Sequence, residues 1–201
     1  MSDAHTEQLS VPPSRIILAS ASPRRAEILS RITANFRIVP SKIIEVSDGL
    51  PEEQVLALAE AKARSVAADH HGVIIGADTL VVIDGQILGK PHSRKEGREM
   101  LMLLRGSTHN VFTGLCVLRT DEDKLHLACE KTSVSFRDLT EREIDRYLDT
   151  QEYLDKAGGY AIQGQAAAFI TRIDGDYFNV MGLPLCRLVL LLREAGIDLL
   201  A

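Results

Sequence analysis

The segment Val73–Ile83 constrains the fold more than any other part of the chain. It reads VIIGADTLVVI, and its apolar residues predict a strand that belongs in a protein core. A single carboxylate, that of Asp78, interrupts this strand. Because an unpaired charge is costly to bury, Asp78 requires a cation, a metal ion or a water-filled cleft beside it. Two interpretations stay open: an exposed aspartate that starts an edge hairpin, or a metal ligand or general base directed at water.

Strands and helices alternate at both ends of the chain, and hairpins occupy its middle. Strands are predicted at Ile16–Ala19, Phe36–Val39, Val73–Ile83, Gln86–Leu88, Val111–Arg119, Leu125–Phe136 and Ala166–Ile173. Helices are predicted from Ser22 and Pro23 onward, over about 52–69, after the capping boxes Ser93/Glu96 and Thr140/Glu143, and over Leu185–Glu194. This order is typical of an α/β protein with a mixed, twisted sheet and flanking helices.

Composition and charge limit the classes of function. Hydrophobic residues make up 45% of the chain, which supports a core and predicts disorder only at the ends. A net charge of −5 argues against general nucleic-acid binding, which needs a basic face. The three cysteines, Cys116, Cys129 and Cys186, are far apart and predict reduced thiols rather than a zinc site or disulfides.

The beginning of the chain has none of the features of a targeting signal. Residues 1–14 lack a basic start and an apolar stretch, so we predict a flexible leader followed by a single domain over residues 15–201. No apolar run approaches the ~18 residues that a membrane span needs. We therefore expect a soluble cytoplasmic protein without a membrane partner.

The segment Ser20–Arg25 indicates a site for phosphate. A helix that begins at Ser22 offers free N–H groups and a partial positive charge to an anion. The hydroxyl groups of Ser20 and Ser22 add donors, and the guanidinium groups of Arg24 and Arg25 can hold phosphate with two hydrogen bonds each. The alternative is an ordinary helix cap followed by two solvated arginines.

Three lysines and a glutamine stand at unusual positions. Lys62 continues the buried stripe of its predicted helix, so it either extends to the edge of the helix or points into a polar pocket. Lys90 follows Gly85 and Gly89, whose spacing is similar to that of a phosphate-binding loop. Pro91, however, replaces the Ser or Thr that would bind magnesium in such a loop. Lys156 and Gln163 flank a glycine-rich segment, and the Gln163 amide can pair with the imide edge of a pyrimidine. Solvated turn positions remain the alternative for Lys90, Lys156 and Gln163.

Cations outnumber anions among these positions. The cationic residues are Arg24, Arg25, Lys62, Lys90 and Lys156, and the acidic ones are Glu45 and Asp78. Glu45 lies in the loop before the Lys62 helix and is either a second site carboxylate or an ordinary surface residue. In an acidic protein, this combination indicates a polyphosphate held in a cleft together with a divalent ion.

Six segments, in this order along the chain, carry a family resemblance. They are LASASPRRAEIL (18–29), AEAKA (59–63), GADTLV (76–81), ILGKP (87–91), DKAGGYAIQG (155–164) and GLPL (182–185). Together they resemble the Maf-type nucleoside triphosphate pyrophosphatases. The resemblance implies hydrolysis of a nucleoside triphosphate to the monophosphate and pyrophosphate. It also implies an elongated, two-lobed α/β fold, related to that of inosine triphosphatases, with a central cleft, a divalent metal ion (magnesium or manganese) and a homodimer.

The resemblance also implies roles for individual residues. Asp78 corresponds to the proton acceptor of the family, and Arg24, Thr79 and Gln163 correspond to its specificity residues. All three specificity positions follow the branch that acts on dTTP and UTP rather than the branch that acts on 7-methyl-GTP. Ile44-Glu45 replaces a usual Asp-Glu pair, which leaves Glu45 as the candidate metal ligand of that loop, beside Asp78.

Two other functions remain open at this point. One is a broader pyrophosphatase that removes damaged or non-standard nucleotides. The other is a nucleotide sensor that inhibits septum formation and cell division with little hydrolysis. In each case, a nucleoside triphosphate is the expected ligand.

Overall fold

The strand predicted at Val73–Ile83 is present with the same bounds and lies inside a mixed sheet. The structure is a computed structural model that describes residues 16–44 and 48–200, and the sheet built from them has seven strands. The strands are β1 (Ile16–Leu18), β2 (Phe36–Ile38), β3 (Val73–Ile83), β4 (Gln86–Leu88), β5 (Thr108–Arg119), β6 (Lys124–Phe136) and β7 (Ile170–Asp174). The helices are α1 (Pro23–Leu29), α2 (Pro51–Ala67), α3 (Arg94–Leu104), α4 (Glu141–Asp149), α5 (Tyr177–Met181) and α6 (Leu185–Glu194).

The sheet combines a parallel part and an antiparallel part. Its strand order is β2-β1-β3-β5-β6-β7, and β4 pairs with β3 outside this order. β1 runs parallel to both β2 and β3, whereas the pairs β3–β4, β3–β5, β5–β6 and β6–β7 are antiparallel. The predicted mixed α/β sheet with flanking helices is therefore confirmed.

An opening lies along one edge of β3. On that edge β1 pairs with Val73–Ile75 and β4 pairs with Val81–Ile83. Among the described residues, no strand pairs with this edge over residues 76–80, whereas β5 pairs with the other edge throughout. We call residues 76–80 and this free edge the β3 gap. In sheets of this kind, ligands bind beyond the carboxyl ends of strands, and the end of β1 borders the β3 gap.

Two glycines allow α2 to lie directly on one face of the sheet. A Cβ atom on Gly76 of β3 would lie 2.1 Å from the carbonyl oxygen of Ala59, and one on Gly114 of β5 would lie 2.1 Å from that of Val55. No larger residue fits at either position without moving the helix backbone. The sequence positions of Gly76 and Gly114 therefore determine how close α2 comes to β3 and β5.

The opposite face of the sheet carries the larger part of the core. Side chains from α1, α3, α4 and α6 pack there against alternate residues of β3 and β5, including Ile75, Val81, Val111 and Leu115. The smaller cluster beneath α2 contains Ile74 and the alternate residues of its neighbours. Because strand side chains alternate between faces, the two clusters assign Asp78 to the α2 face and Thr79 to the opposite face.

The strand predicted at Ala166–Ile173 is wrong in its first half. Residues Gln165–Phe169 form a 3-10 helix, and β7 begins only at Ile170. The residues buried in this turn are Ala166 and Phe169. These two residues are three positions apart, which is the repeat of a 3-10 helix. The strand prediction had assumed the two-residue repeat of a β-strand for the apolar residues of this segment.

Helix α5 was not predicted, although its two ends have recognisable signals. The carboxylate of Asp176 accepts hydrogen bonds from the backbone N–H groups of Phe178 and Asn179, as an N-cap does. Gly182 follows the helix with φ of 104°, a conformation that glycine adopts without strain. A helix of five residues is too short to show a clear apolar period in sequence.

The cysteine thiols are unpaired, and two of them lie away from solvent. Cys116 is buried and Cys129 is partly buried, whereas Cys186 is exposed. Burial raises the pKa of the Cys116 thiol to about 12 and that of the Cys129 thiol to about 11. Both groups therefore stay protonated near neutral pH and are poor nucleophiles.

A buried histidine links β5 to the glycine-rich segment. The ring of His109 is fully buried, and its Nε2 atom lies 2.8 Å from the hydroxyl oxygen of Tyr160. The aromatic rings of Phe136 and Tyr160 meet the imidazole edge to face. Burial lowers the pKa of His109 to about 4, so the imidazole is neutral in the folded protein at neutral pH.

This burial predicts a loss of stability in mild acid. Between pH 6.5 and about 4 the unfolded chain binds a proton at His109 that the folded chain does not, so stability falls as the pH falls. From pH 7.5 to 5.0 we expect this residue to remove about 2 kcal/mol from the free energy of unfolding. Urea titrations at both pH values measure the loss, and it should be smaller by that amount in His109→Gln, whose side chain does not titrate. An equal loss in both proteins would contradict the prediction.

Candidate active site

Asp78 forms a buried ion pair with Lys62. The Nζ atom of Lys62 lies 2.5 Å from Oδ1 of Asp78, and each side chain is only 8% exposed. An exposed aspartate at the start of an edge hairpin is thus excluded, as is a lysine that extends to the edge of its helix. Lys62 supplies the cation that the sequence required beside Asp78.

The contact between Gly76 and α2 explains why these two charges meet. Gly76 lies against Ala59. Two residues further along β3 comes Asp78, which faces the same side of the sheet. Three residues further along α2 comes Lys62, which lies on the same side of the helix one turn later. The close approach of the two backbones therefore brings the ammonium group onto the carboxylate.

The ion pair occupies only one of the two carboxylate oxygens of Asp78. Oδ1 accepts the hydrogen bond from Lys62, and within the described residues Oδ2 has no hydrogen-bond partner. An ionised carboxylate accepts hydrogen bonds at both oxygens. Oδ2 is therefore the atom that can accept a proton from water or bind a cation.

Arg25 joins three segments on the Thr79 side of the β3 gap. Its guanidinium group donates hydrogen bonds to Oγ of Ser20 (3.3 Å), to Oγ1 of Thr79 (3.0 Å) and to the carbonyl oxygen of Gly182 (2.7 Å). The sequence predicted Ser20 and Arg25 as phosphate ligands, and the structure places both beside Thr79. Arg25 thereby holds the end of β1, the middle of β3 and the end of α5 in one arrangement.

Arg24 and Lys156 lie close together at the mouth of the gap. Arg24 donates a hydrogen bond of 3.4 Å to the carbonyl oxygen of Asp155, the neighbour of Lys156. Burial lowers the pKa of Arg24. Burial and, next in size, the positive charge of Arg24 lower the pKa of Lys156. Two partly buried cations that repel each other form a local site for an anion.

Backbone contacts bring Lys90 to the same region. The N–H group of Gly158 donates a 3.0 Å hydrogen bond to the carbonyl oxygen of Gly89. The segment that follows Lys156 therefore runs beside the residue that precedes Lys90. Lys90 itself is exposed, at the β4 side of the β3 gap.

Other predicted residues are less closely tied to this cluster. Ser22 is the N-cap of α1 but makes no side-chain capping bond, and its N–H group donates to Oγ of Ser20 at 3.2 Å. Gln163 is exposed on the loop after the glycine-rich segment. Glu45 and the leader, residues 1–14, lie outside the described residues.

Two residues of the site were not predicted from the sequence. Thr113 of β5 is fully buried opposite Thr79, and the two hydroxyl oxygens are 2.9 Å apart. Asn179 of α5 is also fully buried, and its carbonyl oxygen accepts the hydrogen bond of Thr113. A threonine inside the apolar strand after Val111 is the same kind of signal as Asp78 in β3, and it would have identified Thr113.

The described carboxylates do not form a metal site by themselves. Among residues 16–44 and 48–200 no group of three or more His, Cys, Asp or Glu side chains is arranged to hold a metal. Magnesium in nucleotide enzymes is commonly held by one or two carboxylates and by the phosphate oxygens of the substrate. Asp78 and Glu45 are the two carboxylates that the sequence predicted for such an ion, and Glu45 lies outside the described residues.

Comparison with known proteins places the chain among enzymes that act on nucleotides. The family model described as Maf-like protein matches residues 15–195. A protein of Dictyoglomus thermophilum named dTTP/UTP pyrophosphatase is 46% identical over 189 residues, which cover 92% of this chain and 98% of that protein. Proteins of the same name are 47% identical in Thermococcus gammatolerans over 186 residues, and 45% identical in Bacillus cereus over 189 residues. These matches cover 92% of this chain, and 99% and 97% of the two relatives. In the described part of the chain, every helix is too short or too polar to cross a lipid bilayer.

Proposed function

This chain belongs to the Maf-like protein family, and on that premise we propose that it hydrolyses dTTP and UTP to the nucleoside monophosphate and pyrophosphate. Relatives that are 45–47% identical over nearly their whole length carry the name dTTP/UTP pyrophosphatase. The observation that carries the proposal is the buried Asp78–Lys62 pair at the β3 gap. Among the described residues, Oδ2 of Asp78 has no hydrogen-bond partner, so it is available to a substrate in the β3 gap.

The triphosphate lies in the β3 gap in this proposal. Arg24, Lys156 and Lys90 neutralise the phosphate charges. The Ser20–Arg25 segment, which follows β1, lies beside the phosphate groups. The side-chain amide of Gln163 donates to a carbonyl oxygen on the imide edge of the base. Positioning and charge neutralisation supply most of the rate acceleration in phosphoryl transfer.

Asp78 acts as the general base of the reaction. Its Oδ2 atom takes a proton from a water molecule while the water oxygen bonds to the α-phosphorus. The bond from the α-phosphorus to the bridging oxygen breaks, and pyrophosphate leaves with the electron pair. Lys62 keeps the carboxylate oriented through Oδ1. A divalent ion, magnesium or manganese, held by Asp78 and Glu45, supplies neutralisation of phosphate charge when it is bound.

The reaction is tested by the products that it releases. The protein is incubated with magnesium and a panel of nucleoside triphosphates that includes dTTP, UTP, CTP and 7-methyl-GTP, and pyrophosphate and orthophosphate are measured separately. We expect pyrophosphate from dTTP and UTP in preference to the others. Efficient release from non-standard nucleotides would favour the broader pyrophosphatase, and tight binding without turnover would favour the nucleotide sensor. Orthophosphate in place of pyrophosphate would contradict the proposal.

Removing one cation should weaken substrate binding more than it slows the chemistry. For Lys156→Met we expect KM for UTP to rise about tenfold, which corresponds to about 1.4 kcal/mol, with kcat changed less than threefold. The physical reason is the loss of one charge that faces phosphate in both the ground state and the transition state. Lys124→Met is the matched control, because Lys124 begins β6 and pairs with Glu122 in the β5–β6 turn. A KM that stays at the wild-type value in Lys156→Met would contradict the assignment.

We also propose that the protein is a homodimer, as its resemblance to the family implies, and that it is cytoplasmic, as expected from its sequence. Light scattering coupled to size exclusion measures the mass, and the dimer predicts about twice the 22.1 kDa of one chain. Fractionation of cells measures the location.

A further inference from the structure

A chain of hydrogen bonds runs from Arg25 through two threonines, across the β3–β5 ladder, to Asn179 of α5. Arg25 donates to Oγ1 of Thr79 at 3.0 Å, Oγ1 of Thr79 lies 2.9 Å from Oγ1 of Thr113, and Thr113 donates to the carbonyl oxygen of Asn179 at 3.1 Å. The two threonines face each other directly across the β3–β5 ladder. Each contact has ordinary hydrogen-bond length.

The direction of every bond in this chain is determined by chemistry. A carbonyl oxygen only accepts, so the hydroxyl proton of Thr113 points to Asn179. Thr113 has no second proton, so in the contact between the threonines Thr79 must donate. A guanidinium group only donates, so Thr79 accepts from Arg25. The hydroxyl of Thr79 has thus used its one proton and one of its two lone pairs, and one lone pair remains.

The acceptor at the end of the chain is held rigidly. The Asn179 carbonyl accepts a second hydrogen bond, 2.9 Å long, from the N–H group of Gly182. The side-chain amide of Asn179 donates to the carbonyl oxygen of Val111 at 3.1 Å and to Oγ1 of Thr132 at 2.9 Å. Asn179 is fully buried, and its bonds to Gly182 and Val111, which do not involve Thr132, keep the carbonyl facing Thr113.

We propose that Thr113 is a specificity-determining positioning residue. Its hydroxyl oxygen accepts the hydrogen bond that the Thr79 hydroxyl donates. Thr79 therefore has only an acceptor lone pair left for the nucleotide. Thr79 is partly exposed, and no strand of the described part of the chain pairs with its edge of β3, so a bound nucleotide reaches it. The group that the nucleotide presents to Thr79 must then be a hydrogen-bond donor.

This inference rests on the proposed function and identifies the group that is read. Thymine and uracil share an imide N–H between two carbonyl groups, whereas cytosine has at that ring position a nitrogen without hydrogen. A hydroxyl group that can act only as an acceptor forms a hydrogen bond with the imide N–H. The same hydroxyl oxygen repels the ring nitrogen of cytosine, which has a lone pair in that place. A site that leaves a polar group of the wrong base without a hydrogen-bond partner discriminates against that base more strongly than a site that makes no contact with the group.

The test compares UTP with CTP in variants of Thr113. In Thr113→Val the Thr79 proton has lost its acceptor and can turn to the nucleotide, so we expect the ratio of kcat/KM for UTP to that for CTP to fall about tenfold. Thr113→Ser, which keeps the hydroxyl, should restore the wild-type ratio. If Thr113→Val does not fold, Thr113→Ala repeats the measurement without adding an atom to the buried site.

Thr132→Val is the matched control. Thr132 is a fully buried threonine of the adjacent strand β6, and it bonds to Asn179 and to the backbone of Asp176 without contacting Thr79. Its loss should lower stability at least as much as the loss of Thr113 and leave the UTP/CTP ratio within about twofold of wild type. An equal fall of the ratio in Thr132→Val would overturn the proposal, because a general disturbance of α5 would then explain it.

A double variant tests whether Thr113 acts through Thr79. In the background of Thr79→Val, where no hydroxyl remains to be oriented, Thr113→Val should cause no further change of the ratio. A further fall of similar size would overturn the proposal, as would an unchanged ratio in Thr113→Val alone.

Binding is measured beside turnover so that this inference and the proposed function fail separately. Calorimetry gives the dissociation constants of the α,β-methylene analogues of UTP and CTP, which carry the same bases and are not cleaved at the α-phosphorus. If wild-type protein releases no pyrophosphate, the proposed reaction is wrong, and the binding ratio still decides the role of Thr113. If pyrophosphate is released and Thr113→Val keeps the wild-type preference in both measurements, the reaction stands and the role of Thr113 is wrong.

Discussion

Asp78→Asn is expected to lower kcat for dTTP and UTP by about 10³-fold, within the range that general-base catalysis contributes. Asparagine keeps the size of the side chain but cannot take a proton from water. Release of pyrophosphate at saturating substrate measures the effect. Asp84→Asn is the control, because Asp84 is an exposed aspartate at the tip of the same hairpin, with φ of 49°, a conformation that asparagine tolerates. Turnover of Asp78→Asn within tenfold of wild type would exclude Asp78 as the base.

The same substitution should also destabilise the fold, because the buried Lys62 ammonium group loses the negative charge of Asp78. Removing one partner of a buried pair lowers the free energy of unfolding by about 3 kcal/mol or more. The double variant Asp78→Asn with Lys62→Met removes both charges of the buried pair and should recover stability but not activity. Urea unfolding and pyrophosphate release, measured on both variants, thus separate the catalytic effect from the structural one. Recovery of activity together with stability would mean that Asp78 serves the fold alone.

Gly76→Ala is also expected to have a large effect on stability. The new Cβ would lie 2.1 Å from the carbonyl oxygen of Ala59 and 3.1 Å from the Cβ of Ala63. The nearest atom belongs to the helix backbone, so α2 must move as a unit, and we expect a loss of about 3 kcal/mol or failure to fold. The midpoint and slope of urea unfolding measure the loss.

Gly89→Ala is the matched control for this prediction. A Cβ at Gly89 would meet no atom within 4 Å, and its φ lies outside the positive range. Its free energy of unfolding should stay within about 0.5 kcal/mol of wild type. A folded Gly76→Ala variant should also lose activity, since a displaced α2 moves Lys62 away from Asp78. Wild-type stability in Gly76→Ala would show that the helix does not need this close approach.

The secondary structure was predictable wherever a short-range signal specifies it. β3 has its predicted bounds, α6 has its predicted bounds, and the Thr140/Glu143 capping box forms as expected. These features depend on residues within a few positions of one another. The 3-10 helix at Gln165–Phe169 and the short helix α5 were missed because so few residues provide no distinct period.

The candidate site was only partly predictable for the same reason. The sequence identified Asp78 and Lys62 as charges that need an explanation, but the two residues are sixteen positions apart and either could have met water instead. Thr113 and Asn179 reach Thr79 and its neighbours from strands and helices further along the chain. Their hydrogen bonds join distant segments, which no local pattern describes.

The sequence by itself determined that an apolar strand carries a charge that must be compensated, that the sheet is mixed, and that the chain resembles a family of nucleotide pyrophosphatases. Only the tertiary structure decided that Lys62 compensates the charge and that Arg25 and Thr113 hold Thr79 from two sides. It also showed that, within residues 16–44 and 48–200, no strand pairs with the edge of β3 between β1 and β4. The physical reason is that periodicity and charge describe what one segment requires. Which group satisfies that requirement depends on how closely two distant backbones approach, and here the missing side chain of Gly76 sets that distance.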